Sequence, residues 1–293
     1  MNYSQTTIKT PFRLSGIGLH TGRALTARIE PADSDTGICF QREDVLSQNN
    51  KITAHISNTA SAMLCTRIEN KDGIGVNTIE HFMSAFFAVG IDNVNIYVDG
   101  PEMPIMDGSA APIVKALLKA GQKQQKCPGR YLQILKEINV TGENGAWARM
   151  MPSTGLEICF DIDFPDPGIG RQKIDYSFST SSYIEMISKA RTFCMLRDVQ
   201  TMKHAGLVKG GTLENAVVVD NGIILNDGGL RMQDEFVRHK VLDCLGDLYL
   251  TSMPIFGKIE AFKPGHALTL DLLRTLIADK SSHIVKTTSK DVT

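Results

Sequence analysis

The chain lacks a dominant charge, since 31 Lys and Arg against 32 Asp and Glu leave a formal net charge of -1. That balance offers no global attraction to nucleic acid or to an anionic membrane, so an anionic ligand must meet a local basic patch. No apolar run approaches the ~20 residues that span a bilayer. The opening residues, MNYSQTTIKTPFRLSG, hold no basic stretch leading into an apolar region, so no secretory signal is expected. The six cysteines (Cys39, Cys65, Cys127, Cys159, Cys194 and Cys244) are scattered without CxxC spacing, and reduced thiols in a cytoplasmic protein are the simplest reading.

What is present is a globular composition, 42% hydrophobic and 22% charged, over 293 residues, more than one hydrophobic core usually serves. Two domains are expected, 1–126 and 127–293, divided within the polar stretch GQKQQKCPGR (121–130) with its Pro-Gly turn signal. Strand-like runs followed by amphipathic helices recur on each side, which suggests two related α+β halves. Strands are predicted at 24–29, 91–98, 132–140, 146–151 and 156–162, with a hairpin over 216–225 turning at Asn221-Gly222. Helices are predicted at 77–89, 109–120, 182–192 (with Ser182 and Glu185 as a capping box) and about 230–250. The polar tail after Asp279 is expected to be disordered.

The segment RHKVLDCLGDLY is the most informative. At ~100° per residue Leu230, Val237, Val241, Cys244 and Leu248 form an apolar stripe, while His239, Asp243 and Asp247 gather opposite. His239 and Asp243 stack one turn apart, so a nitrogen and a carboxylate oxygen can reach one cation. A catalytic zinc needs a third ligand, and His81 in NTIEHFMSAFFAVG lies off its helix's core stripe. Glu80, beside it, is a candidate base, and His266 in FKPGHAL a candidate acid that Asp247 could orient. Thr192 in ARTFC could supply a hydroxyl to an oxyanion. On local pattern alone, a His and an Asp four apart can equally be a surface pair, and Asn77 to Glu80 also fits a capping box. GIGLHTG, with His20, departs from the spacing of phosphate-binding glycine loops and reads as a hairpin turn near the site.

Taken together, GIGLHTG (16–22), TIEH (78–81), GPEMPIMDGSA (100–110), ARTF (190–193), DEFVRHKVLDCLGDLYL (234–250) and KPGHAL (263–268) resemble the UDP-3-O-acyl-N-acetylglucosamine deacetylase family, in its order and spacing. The resemblance implies an α+β fold of two similar two-layer α/β-sandwich domains, with helix layers facing each other around Zn²⁺; two His and one Asp would accept Fe²⁺ too. It implies His81, His239 and Asp243 as metal ligands and Glu80 as base. His266 is implied as acid, Asp247 as its support, Lys240 as an electrostatic aid and Thr192 as oxyanion donor; Asp107 also matches a family position. Phe193 would line the sugar pocket, Lys263 would meet the diphosphate, and His20 would contact substrate. Small inserts are expected near 63–77 and 194–216, the second an acyl-chain passage with Val199, Val208, Gly211, Thr212, Ala216 and Val218 at matching positions. Cys194, where many relatives have Gly, would narrow that passage, and Pro264 would stiffen the loop carrying His266.

The activity so implied is hydrolysis of the N-acetyl group of a UDP-linked acylated amino sugar in lipid A biosynthesis, by a cytoplasmic monomer with no nucleic-acid partner and no transmembrane segment. The rivals are a zinc amidohydrolase for another N-acylated sugar and a non-catalytic α+β binding protein.

Overall fold

A computed structural model describes residues 4–46 and 49–288. The chain folds as an α+β protein whose two halves each place a sheet behind helices. In the first half a five-stranded sheet runs Phe12–Ile17, Ala24–Pro31, Val94–Val98, Ile38–Arg42, Lys51–Thr53. Alternation in Ala24–Pro31 turns Leu25, Ala27 and Ile29 inward. The sheet is covered by helices α1 (Glu80–Val89) and α2 (Ala111–Ala120). Helix α1 ends at Gly90, whose left-handed φ of 76° a residue without Cβ adopts freely.

In the second half the strand Ile255–Phe262 is central, flanked by Trp147–Met151 antiparallel and Leu156–Asp163 parallel. After Leu156–Asp163 the same half carries the short turn α3 (Thr180–Ser182), the π-helical turn Tyr183–Ile187 and helix α4 (Leu196–His204). The long helices α5 (Glu235–Leu248) and α6 (His266–Ala278) follow. Helix α5 is buried on nearly every side: its apolar stripe covers the second sheet, and its polar face packs against α1 of the first half. This arrangement brings residues about 160 positions apart in sequence together. A buried hydrogen bond of 2.7 Å between Ser84 and Tyr183 ties α1 to the π-helical turn.

Each predicted insert has a structure of its own. Near 63–77 a small sheet joins Thr59–Ala60, Arg67–Glu69 and Gly75–Val76. In the other, Phe193–Met195 lies parallel to Val217–Asp220 with α4 as the crossover, and the hairpin to Ile223–Ile224 turns at Asn221-Gly222.

Several sequence expectations are corrected. The stretch read as a polar divide forms a strand, Gln122–Pro128, paired antiparallel with Ser4–Ile8. Its run of polar side chains hid it, because a strand held by backbone pairing alone carries no hydrophobic period. The tail is ordered at least to 288: His283–Thr287 pairs with Arg130–Ile134 although four of its five residues are exposed; residues 289–293 lie outside the described residues. The single strand expected over 132–140 is two, Arg130–Ile134 and Ile138–Thr141. The capping box belongs to Ser179 and Ser182, whose side chains bond each other's backbone N–H, and the helical segment ends at Ile187 rather than near Thr192. Leu230 precedes α5 instead of lying on its stripe.

Candidate metal centre and active site

The site lies where α1 crosses α5. Gly246 makes the crossing close, for a Cβ there would sit 2.1 Å from the Glu80 carbonyl oxygen. Across this contact His81 from α1 meets His239 and Asp243 from α5, one ligand atom of each lying within 4.8 Å of the others, all three buried. His239 Nδ1 bonds the Ala190 carbonyl at 3.1 Å, which turns Nε2 toward Asp243 Oδ1 at 3.2 Å. His81 Nε2 lies 3.8 Å from the same oxygen, and its buried Nδ1 has no hydrogen-bond partner.

The protonation states suit a cation. Burial lowers the pKa of both imidazoles, to about 3 at His81, leaving lone pairs to donate. Desolvation works against ionising Asp243, but the positive charges of Lys240 and His266, with the imidazole of His239 beside it, hold it well below the usual carboxylate range. Two neutral imidazoles and one carboxylate, desolvated and convergent, therefore fit a divalent metal ion. The bland reading of His239 and Asp243 as a surface pair fails, since neither is exposed.

Glu80 is the first residue of α1 and 3% exposed. It does not serve a capping box: Ile79 stands at the N-cap with no side-chain bond, and Glu80 Oε2 accepts the Thr66 N–H at 3.0 Å. Burial pushes its carboxyl up to about 8, with the nearby His266 opposing and Asp243 adding to the rise. His266 opens α6 after the extended Gly265, and its Nδ1 lies 2.8 Å from Asp247 Oδ2. Its Nε2 is 3.8 Å from both Glu80 Oε1 and Asp243 Oδ2. Desolvation would lower the His266 pKa, but the Asp247 charge and hydrogen bond, with Asp243 and Glu80, raise it to about 10. The two adjacent groups give up their protons in separate ranges, Glu80 at about 8 and His266 at about 10, so that on deprotonation Glu80 becomes the base while His266 still holds its proton as the acid.

Lys240 Nζ bonds Asp243 Oδ2 at 3.0 Å and stands 5.4 Å above the Phe193 ring, which also meets His239 edge-on. Thr192 is half-buried in an extended segment, its N–H on the Gly108 carbonyl at 2.8 Å. Lys263 lies next to the His266 loop, 3.5 Å from Asp163 and beside the Phe262 ring. Asp107 pairs with Arg231 at 2.9 Å. In the second insert Val208, Ala216 and Val218 are buried and Val199 is half-buried on α4. The loop with Gly211 and Thr212 docks on the GIGLHTG turn, Gly210 N–H to Leu19 O at 3.0 Å and Lys209 N–H to His20 O at 3.2 Å. His20 is buried with both ring nitrogens unpartnered.

Three contributors escaped the sequence. Thr66 bonds Glu80 and Asp247. Glu102, wholly buried, accepts from the His20 and Thr21 amides and the Thr21 and Thr78 hydroxyls, fixing the turn before the site. Glu235, also wholly buried, accepts from the Arg191 backbone and guanidinium, and so steadies the peptide whose carbonyl holds His239. Only Glu102 left a signal, as a lone acid within an apolar run.

A buried cluster able to hold a metal ion, flanked by a carboxyl group and a carboxylate-supported imidazole, is equipment for splitting an unactivated bond with water, and the class is that of the hydrolases. A family model described as UDP-3-O-acyl N-acetylglycosamine deacetylase matches residues 5–278, and the chain belongs to that family. Similar proteins named UDP-3-O-acyl-N-acetylglucosamine deacetylase include one from Phenylobacterium zucineum, 41% identical over 98% of each chain. Those from Vibrio parahaemolyticus and Shewanella sp. strain W3-18-1 are 41% and 43% identical over 95% of this chain and 91% of theirs.

Proposed function

We propose that the protein hydrolyses the acetamide of UDP-3-O-(3-hydroxyacyl)-N-acetylglucosamine, giving acetate and the free 2-amino sugar, the committed step of lipid A biosynthesis. The observation that carries this reading is the placement of Glu80 and His266, 3.8 Å apart, beside the His81, His239 and Asp243 cluster. We assign Zn²⁺ as the resident ion, with Fe²⁺ able to use the same donors. When bound, the ion supplies Lewis acidity to the amide carbonyl and to the attacking water.

The remaining work falls to the chain. Glu80 Oε1 takes a proton as water adds to the carbonyl carbon. Its Oε2 is already engaged by the Thr66 amide, so one oxygen is free to act. Thr192 donates to the developing oxyanion, and Lys240 adds positive charge there. His266 Nε2–H gives its proton to the amine nitrogen as the C–N bond breaks, Asp247 stabilising the imidazolium that holds it. Phe193 packs on the sugar, Lys263 meets the diphosphate, and His20, in the turn beside the site, contacts substrate. Val199, Val208, Gly211, Thr212, Ala216 and Val218 line the acyl passage, their small and apolar side chains suiting a hydrocarbon. Among the described residues no helix is long and apolar enough to cross a membrane. We place the protein in the cytoplasm as a monomer of two domains, the first closed by the strand Gln122–Pro128 and the second opening with Arg130–Ile134.

The test is acetate release from the UDP-linked acylated sugar before chelation, after it, and with Zn²⁺ restored. Release that is lost and regained is expected. No release in any state, with stoichiometric zinc bound, contradicts the substrate assignment, and equal turnover of an acyl-free sugar favours a different N-acylated substrate.

A further inference from the structure

We infer that Thr66 is a positioning residue that holds the base and the acid's supporting carboxylate in one register; the inference rests on the deacetylation proposed above. Thr66 is 1% exposed and immediately precedes the strand Arg67–Glu69 of the small first-half sheet. Its two donors diverge. The backbone N–H reaches Glu80 Oε2 at 3.0 Å, and the hydroxyl reaches Asp247 Oδ1 at 2.5 Å, with the hydroxyl oxygen 3.0 Å from His266 Nδ1.

Proton accounting fixes the directions. An ionised carboxylate only accepts, so the single hydroxyl proton goes to Asp247 Oδ1. The lone pairs of the hydroxyl then share the His266 Nδ1 proton, which Asp247 Oδ2 accepts at 2.8 Å. Gripped from two sides, Nδ1 keeps its proton, and Nε2 is the nitrogen that faces Glu80 Oε1 and Asp243 Oδ2. Glu80 is treated alike: the Thr66 amide takes Oε2 and leaves Oε1 toward His266. One residue, through its amide and its hydroxyl, therefore leaves one working atom on each of two partners that belong to different helices, α1 and α6, and braces a third group on α5. The small sheet thereby gains a function, to carry Thr66 into the cleft between the helix layers.

The experiment compares Thr66→Val, which keeps shape and amide but removes the hydroxyl, with Thr66→Ser, which keeps it, each alone and with Asp247→Asn, in the Zn²⁺-loaded full chain. Thr66→Val strands a buried acceptor, and kcat is expected to fall about 10- to 100-fold with KM within about two-fold and zinc at wild-type content. Thr66→Ser restores kcat to within about three-fold. The loss in Thr66→Val shrinks in the Asp247→Asn background, since the two act as a unit. A readout independent of turnover is the His266 Nδ1–H resonance in histidine-¹⁵N-labelled protein, expected in wild type and Thr66→Ser and lost to solvent exchange in Thr66→Val. Unchanged kcat and a retained resonance in Thr66→Val overturn the inference. So do equal losses in Val and Ser, additive losses with Asp247→Asn, or zinc lost from Thr66→Val. A wild-type chain that releases no acetate overturns the deacetylase reading instead, and the resonance alone then decides the role of Thr66.

Discussion

Replacing Gly246 by Ala should separate the two helices that share the metal site. The added Cβ would lie 2.1 Å from the Glu80 carbonyl oxygen, 2.8 Å from its carbon and 3.0 Å from its Cα, all backbone atoms that no rotamer change can move aside. Carbon and oxygen rest no closer than about 3.3 Å, so α1 and α5 must part by about 1.2 Å at the crossing. His81 and Glu80 travel with α1, while His239, Asp243 and Asp247 stay with α5. The shift opens the ligand set and draws the base away from it. A misplacement near 1 Å costs on the order of 10²-fold in rate, and that is the fall expected in kcat/KM, with a weaker zinc affinity by chelator competition. Stability should change less, because overpacking of about 1–3 kcal/mol is partly offset by the ~1 kcal/mol by which Ala outranks Gly in a helix. Wild-type turnover and zinc affinity in Gly246→Ala would refute the reasoning.

Other outcomes follow from the same geometry. Asp247→Asn removes the negative charge that favours the His266 imidazolium, so its pKa falls from about 10 and the alkaline limb of the pH–rate profile moves to lower pH, read from kcat across buffers. Glu235→Ala leaves the Arg191 guanidinium buried without its carboxylate, and urea unfolding should show a loss of about 3–5 kcal/mol. Removing metal from the purified protein should lower its Tm as well as its activity, because the ligands come from both halves and an ion bound only by the native state stabilises it; a Tm unmoved by chelation or by restored Zn²⁺ would deny that linkage.

Much of the site was legible because its parts sit on strongly patterned helices. His239, Asp243 and Asp247 recur at one-turn spacing opposite an apolar stripe, and His81 lies off the core stripe of α1, so their faces could be assigned before their partners were known. The faces do not reveal which helix packs on which. Joining His81 to His239 needed the family resemblance, since no local pattern encodes a contact across about 160 residues. Thr66 was invisible for the same reason, as its two bonds are made to residues 14 and 181 positions away. Gly246 carried a signal that went unused: a glycine inside a helical pattern often marks close backbone approach. Some strands were missed because pairing alone holds them, as in Gln122–Pro128 and His283–Thr287, whose side chains are mostly exposed and show no period, whereas Ile38–Arg42, with alternate residues buried, carried a period that was not read.

The most direct test of the central claim, that Glu80 and His266 work across the metal cluster as base and acid, is the turnover of Glu80→Gln measured alongside its zinc content. The variant keeps the size and the Thr66 bond but cannot take a proton. One zinc per chain with acetate release reduced about 10²- to 10⁴-fold is the predicted result; undiminished release from the zinc-loaded variant would contradict the account.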